Sequence, residues 1–231
     1  MSVTKTKRER QIETTDAETA SQVSDTSKSS DASPPWYFST LPVAMIGALL
    51  LWAVFPPLNL WPLAWVAVVP WLLLVRWEKL PGRRPYACLN LAGFTHWMLL
   101  LQWVRFAHWD ANFGWLALAL YLAIYLPAFI GFCRFAVHRF HVPLIVAAPV
   151  VWVGLEALRG WLFTGLALAM LGHTQVDWPA VVQISDLGGA YAVSFLIMLV
   201  ASAVPGLIPL HFFIGWPAKA VENHAQIRRP W

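Results

Sequence analysis

The sequence predicts an all-α fold: a polytopic membrane helix bundle of about six transmembrane helices with one re-entrant or interfacial segment. The chain is 58% hydrophobic and only 12% charged, whereas a soluble domain carries about 25% charged residues. Its charges are also segregated between apolar runs, several of which reach the roughly 17–25 residues that a transmembrane helix needs. These two observations exclude a single soluble core.

The 231 residues divide into three parts. Residues 1–35 are rich in Ser, Thr, Asp, Glu and Lys and contain no aromatic residue, so we expect a disordered cytoplasmic tail. Residues 36–210 hold the transmembrane bundle, and residues 211–231 form a C-terminal tail.

The predicted spans are apolar runs separated by prolines or by charged loops. Pro56 and Pro57 end the first span, because proline cannot continue a helix. The apolar run at 161–171 is too short to cross and is predicted to be re-entrant or interfacial. The six spans are residues 36–55, 58–75, 87–104, 113–133, 142–158 and 187–210.

The basic residues predict the orientation of the bundle. If the N-terminus is cytoplasmic, only Arg105 and Arg159 fall on the outer side, which leaves 14 of the 16 Lys and Arg residues inside. Such a bias follows the positive-inside rule and predicts that both termini are cytoplasmic. The 14 inner residues are Lys5, Lys7, Arg8, Arg10, Lys28, Arg76, Lys79, Arg83, Arg84, Arg134, Arg139, Lys219, Arg228 and Arg229.

Two charges interrupt the fifth span, in the stretch "VVWVGLEALRGWLFTG". A charged side chain at the bilayer centre costs roughly 2.5–3.5 kcal/mol on insertion scales. Glu156 and Arg159 lie near the outer end of an outward-running helix, and their spacing puts them on one face. Two roles are open: a structural ion pair within the bundle, or a site in which Arg159 holds a phospholipid headgroup.

The remaining polar residues predict no catalytic, metal or cofactor site. Cys88 and Cys133 lie beside arginines near the cytoplasmic ends of their helices and are interpreted as packing residues. The polar residues of the third span, six apart each time, point in three directions around a helix, which favours interhelical hydrogen bonds over a transport pore. The net charge of +4 belongs to loops and termini, so it predicts membrane orientation and no nucleic-acid binding. The polar residues of the third span are Asn90, His96 and Gln102.

Several segments, in order along residues 42–200, resemble the apolipoprotein N-acyltransferase family. They are "FPPLNLWPLAWVAVVPWLLL", "LAGFTHWMLLLQWV", "APVVWVGLEALRGWLFTG" and "LGHTQVDWPAVVQISDLGGAYAVSFLIMLV". The resemblance implies a protein of the bacterial inner membrane whose family reaction transfers a phospholipid acyl chain to the N-terminal diacylglyceryl-cysteine of lipoproteins. Membrane phospholipid and lipoproteins are the partners that it implies.

In that family a nitrilase-like domain carries a Glu–Lys–Cys triad, and no residue of this sequence matches the triad. The resemblance therefore implies the truncated, membrane-bundle half of the enzyme, not catalytic alone, with a separately encoded nitrilase-like domain as a possible partner. The alternative is a non-catalytic membrane scaffold or lipid-binding module derived from the family. One departure bears on lipid handling: where the family usually has Phe-Pro-Trp, this chain has Leu166, Ala167 and Leu168.

Overall fold

The computed structural model describes residues 39–77, 79–106, 108–162 and 165–207. Within these ranges 79% of the residues are helical and no strand occurs, which confirms the all-α prediction. The nine α-helices of the described chain are α1 (Thr40–Val54), α2 (Ala64–Ala67), α3 (Val69–Arg76), α4 (Pro85–Leu100), α5 (Ala111–Ala123), α6 (Tyr125–Phe140), α7 (Leu144–Trp161), α8 (Pro179–Val182) and α9 (Ser185–Leu207). Short 3₁₀ turns cover Trp61–Leu63, Gln102–Phe106 and Leu171–Gln175.

Three helical segments of the described chain are long and apolar enough to cross a membrane. They are Ala111–Phe140, Leu144–Trp161 and Ser185–Leu207. Two further apolar helices, Thr40–Val54 and Trp61–Arg76, are shorter. The structure thus supports a membrane protein built of apolar helices, and six crossings remain a prediction. The tails at 1–35 and 211–231 lie outside the described residues.

The helical segment that contains the fourth predicted span is longer than that span. The segment Ala111–Phe140 runs for 30 residues and breaks only between α5 and α6, because Pro127 has no N–H to donate to the carbonyl of Ala123. The basic stretch after residue 133, predicted to be a loop, is helical as far as Phe140. The helix ends at His141, whose φ of 56° is left-handed. Charge marks where a helix leaves the apolar layer, whereas the backbone conformation decides where it ends.

Packing is closest between α7 and α9, between α1 and α4, and between α4 and α5. Gly47 of α1 permits one of the tightest approaches, because a Cβ atom there would overlap the indole ring of Trp71. That indole is 3% exposed. Its Nε1 donates a 2.9 Å hydrogen bond to the carbonyl of Ala44, and its ring stacks on Trp152. The ring therefore cannot move aside cheaply.

We expect Gly47→Ala to destabilise the protein by about 1–3 kcal/mol, since overpacking a rigid core outweighs the gain in helix propensity. The measurement is thermal unfolding in detergent. Gly114→Ala is the matched control, because no heavy atom lies within 4 Å of its added Cβ. It should leave the transition unchanged or raise it slightly. Equal transitions for the two variants would contradict the tight packing at Gly47.

Candidate functional site

The candidate site lies near the C-terminal end of α7, where the helix stops and the chain turns back. α7 ends at Trp161, and Leu162 is already extended, with φ −76° and ψ 139°. Gly165, with φ of 82°, helps the chain to reverse, and the backbone N–H of Leu166 donates to the carbonyl of Arg159 at 2.9 Å. The described part of the segment predicted to be re-entrant, residues 165–171, thus returns beside the last turns of α7. We call residues 165–171 the return segment.

Glu156 holds the end of the return segment. One carboxylate oxygen, Oε1, accepts hydrogen bonds from the backbone N–H of Leu171 at 2.8 Å and from Trp152 Nε1 at 2.9 Å. The side chain is only 5% exposed. A buried backbone N–H without a partner would cost about 1–3 kcal/mol. Glu156 therefore compensates for the missing helical hydrogen bonding at this point of the chain.

Arg159 lies on the same face of α7 and is also 5% exposed. Its Nη2 donates to the carbonyl of Ala169 at 3.4 Å, and its guanidinium carbon lies 5.0 Å from the ring centroid of Trp97. Such a cation–π contact stabilises a desolvated arginine by about 2 kcal/mol. Both charged residues of α7 thus bind backbone groups of the return segment.

No carboxylate–guanidinium contact within 4.0 Å joins Glu156 to Arg159 in the described part of the chain. Their spacing places them on one face, as the sequence indicates, but each reaches across to the return segment. Glu156 Oε2 and Arg159 Nε are buried and have no hydrogen-bond partner among the described residues. Ser194 of α9 lies near the carboxylate, and its hydroxyl oxygen accepts a 2.8 Å hydrogen bond from the backbone N–H of Gly172.

Both charged side chains line a cavity of about 60 Å³. A water molecule needs roughly 10–15 Å³ of such space, so the cavity has room for a few waters and none for a lipid headgroup. Water here would satisfy the two unpartnered atoms. The walls are mostly apolar, with polar groups from His96, Tyr125, Glu156 and Arg159.

Two of the polar residues on this cavity illustrate what sequence reasoning can find. His96 was predicted to hydrogen-bond between helices, and its Nδ1 lies 3.2 Å from the carbonyl of Ala48 in α1. Tyr125 was missed. Its hydroxyl lies 2.8 Å from that of Tyr121, and the i, i+4 spacing of two tyrosines in an apolar helix was the available signal.

Other polar residues on the same side of the bundle form separate contacts. Gln175, also missed, is fully buried. It accepts from Trp65 Nε1 at 3.3 Å and donates to the carbonyl of Trp61 at 3.2 Å. Asn59 donates to Asp177 at 3.1 Å. These bonds hold the 3₁₀ turn Leu171–Gln175 and the chain that follows it against α2 and the residues just before it.

The fold and this site define a helical membrane protein in which two buried charged residues, Glu156 and Arg159, bind the return segment at the end of α7. A sequence model described as the apolipoprotein N-acyltransferase N-terminal domain matches residues 47–203. The chain therefore belongs to the apolipoprotein N-acyltransferase family, through that N-terminal domain.

Individual relatives agree with this assignment. An apolipoprotein N-acyltransferase of Rhodopirellula baltica is 41% identical over 167 residues, which is 68% of this chain and 29% of the relative. The protein of the same name from Geobacter metallireducens is 33% identical over 165 residues, covering 68% of this chain and 31% of the relative. That of Haemophilus influenzae is 28% identical over 176 residues, covering 74% and 33%. The chain thus spans about a third of the length of these relatives.

We expect Glu156→Ala to destabilise the protein by about 3 kcal/mol, because it leaves the N–H of Leu171 unpaired and the charge of Arg159 uncompensated. Glu156→Gln is the matched control: its amide oxygen can still accept from Leu171, so only the electrostatic part should be lost. Replacing Glu156 and Arg159 together with apolar residues should also destabilise the protein, because the N–H of Leu171 and the carbonyl of Ala169 both lose their partners. Thermal unfolding in detergent measures all three variants. Unfolding temperatures equal to that of the parent would contradict a structural role for Glu156 and Arg159.

Proposed function

We propose that this chain supplies the membrane part of an apolipoprotein N-acyltransferase-like protein of the bacterial inner membrane. The family reaction would be the transfer of a phospholipid acyl chain to the N-terminal diacylglyceryl-cysteine of a lipoprotein. The match of residues 47–203 to the N-terminal domain of that family carries the proposal. The apolar helices of the described chain support it, because both substrates are lipids held in a membrane.

In this proposal Glu156 and Arg159 shape the protein and do not bind a headgroup. Both reach backbone groups of the return segment, and the cavity between them is too small for a headgroup. Their role would be to hold the return segment at a fixed depth beside the end of α7. A rigid segment at this position would give lipid substrates a constant boundary at the outer side of the bundle.

Acyl transfer would need catalytic residues from outside these 231 residues. A Cys nucleophile must be activated by a base or by a lowered pKa. Cys133 is buried in the bundle, in the middle of α6. The triad would therefore come from a nitrilase-like domain, on further chain or on a separate polypeptide.

The experiment is a lipoprotein acylation assay in membranes that lack endogenous activity. We expect the 231-residue chain alone to give no triacylated lipoprotein, and we expect conversion when a nitrilase-like domain is co-expressed with it. Gly172→Ala tests the position of the return segment, because Gly172 directly follows it and an added Cβ would overlap the carbonyl of Ala190 in α9. It should lower conversion, whereas Gly114→Ala should not. Conversion by the chain alone would refute the proposal that the catalytic residues come from a nitrilase-like domain.

The alternative, a non-catalytic scaffold or lipid-binding module, is favoured by one observation. Leu166, Ala167 and Leu168 replace the Phe-Pro-Trp usual in the family, and they lie on the return segment itself. A chain that binds phospholipid but never supports conversion with any nitrilase-like domain would support this alternative.

We also propose that both termini are cytoplasmic and that the bundle crosses the membrane six times. Of the eight described Lys and Arg residues, six lie at the end of the bundle where α3 and α6 finish, as the positive-inside rule expects of the cytoplasmic side. Reporter fusions after residue 80 and after residue 231 should both give cytoplasmic signals. A periplasmic signal at the C-terminus would require an odd number of crossings.

A further inference from the structure

The two ends of the bundle carry opposite charge. In the described ranges the end where α5 and α9 begin has four acidic residues, Asp110, Glu156, Asp177 and Asp186, against two basic residues, Arg105 and Arg159. The opposite end, where α3 and α6 finish and α4 begins, carries six basic residues and no acidic residue among those described; Glu78 lies outside the described ranges. The six are Arg76, Lys79, Arg83, Arg84, Arg134 and Arg139. This basic end is chemically suited to an anion.

A groove opens at the basic end between α4 and α6. Its volume is about 520 Å³, and it is lined by Tyr86, Gly131, Arg134, Phe135, His138 and Arg139. The five α6 residues follow the spacing i, i+3, i+4, i+7 and i+8, so they form one face of that helix. We call this the α4–α6 groove. It is far larger than the cavity beside Glu156.

Small and aromatic residues shape the α4–α6 groove. A Cβ atom on Gly131 would lie 3.7 Å from Cε1 of Tyr86, so the tyrosine ring packs directly over the glycine. Tyr86 is 48% exposed and Phe135 is 57% exposed. Exposed aromatic rings at the end of a membrane helix are typical of the layer between headgroups and acyl chains. The groove therefore has apolar walls where an acyl chain would lie.

Two polar side chains of the groove, Arg134 and His138, also bind the end of α3. Arg134 Nη1 donates to the carbonyl of Leu74 at 3.2 Å and to that of Trp77. His138 Nε2 donates to the carbonyl of Val75 at 2.9 Å. These bonds satisfy carbonyls that the helix itself leaves unpaired at its C-terminus. They also fix the positions of both side chains at the back of the groove.

Arg139 is the exposed cation of the groove. It lies one helical turn from Phe135, and the partly buried Arg134 contributes positive charge to the same face of α6. The groove also lies beside the start of α4, whose first turn has no side-chain cap and whose helix dipole favours an anion. A hydrogen-bonded arginine, an exposed arginine and two exposed aromatic rings together match a phosphate group that carries an acyl chain.

We propose that the α4–α6 groove binds an anionic phospholipid of the surrounding membrane, with the lipid phosphate at Arg139 and an acyl chain along Tyr86 and Phe135. The charge of the basic end selects an anionic headgroup, and the aromatic walls select a lipid over a free phosphate. The site would be distinct from the acyl-transfer site, since it lies at the opposite end of the bundle. Its role would be to anchor and stabilise the membrane part.

The test compares lipid binding by the purified chain in a neutral detergent, measured by native mass spectrometry and by thermal unfolding. Phosphatidylglycerol should remain bound and raise the unfolding temperature, whereas phosphatidylcholine and inorganic phosphate should not. Arg139→Gln should weaken phosphatidylglycerol binding about fivefold, the effect of one basic residue near an anionic surface. Gly131→Leu, which fills the groove beside Tyr86, should weaken it at least as much.

Lys79→Gln is the matched control, because it removes a cation from the same end without lining the groove. It should retain phosphatidylglycerol like the parent. Equal loss in Lys79→Gln and Arg139→Gln would overturn the proposal in favour of diffuse attraction, and equal stabilisation by inorganic phosphate would overturn it in favour of a simple anion site. Unchanged binding in Arg139→Gln would also refute it. None of these outcomes depends on acyl transfer, so the proposed function is tested separately.

Discussion

Backbone groups that no helix pairs must find partners inside the bundle, because an apolar membrane offers no water to them. The structure meets this constraint with side chains at several helix ends. Glu156 accepts from the N–H of Leu171 at the return segment. Arg134 and His138 donate to the last carbonyls of α3, and Arg76 donates to the carbonyl of Pro205. The charged residues in the apolar part of the bundle thus hydrogen-bond to backbone groups of the protein itself.

This constraint explains why so few charges are buried and why they sit where they do. Each one lies within two turns of a helix end or beside the end of a neighbouring helix, where the helix leaves a backbone polar group unpaired. Removing such a side chain leaves a backbone group unpaired, which is more costly than the loss of an exposed ion pair. Glu156 at the return segment and Arg134 at the end of α3 both pair backbone groups in this way, at opposite ends of the bundle.

The two ends also differ in what remains available to a ligand. Near Glu156 the polar atoms face a small cavity, so that end is suited to holding a segment of chain in place. At the basic end the groove is open and wide, and an exposed arginine stands at its rim. A division of this kind would suit the proposed membrane part, because one end fixes a segment of the fold and the other offers an open groove.

The sequence by itself determined the helical class, the membrane setting, the family and the common face of Glu156 and Arg159. Periodicity, apolar content and spacing are local properties, so these features can be read from neighbouring residues. The same reasoning placed a loop at 134–141 where α6 continues, because charge reports the surrounding solvent and not the backbone. It also suggested a direct ion pair at 156 and 159, since spacing shows which residues share a face and not what lies opposite.

Only the tertiary structure decided which groups the charged side chains contact. Leu171 opposite Glu156, Trp97 under Arg159 and the α3 carbonyls behind Arg134 are all remote in sequence or belong to irregular backbone. Backbone N–H and C=O groups are identical in every residue, so no sequence pattern announces which of them a side chain will bind. That choice depends on where each helix stops and which helix packs against it, and both are set by the packing of the whole bundle.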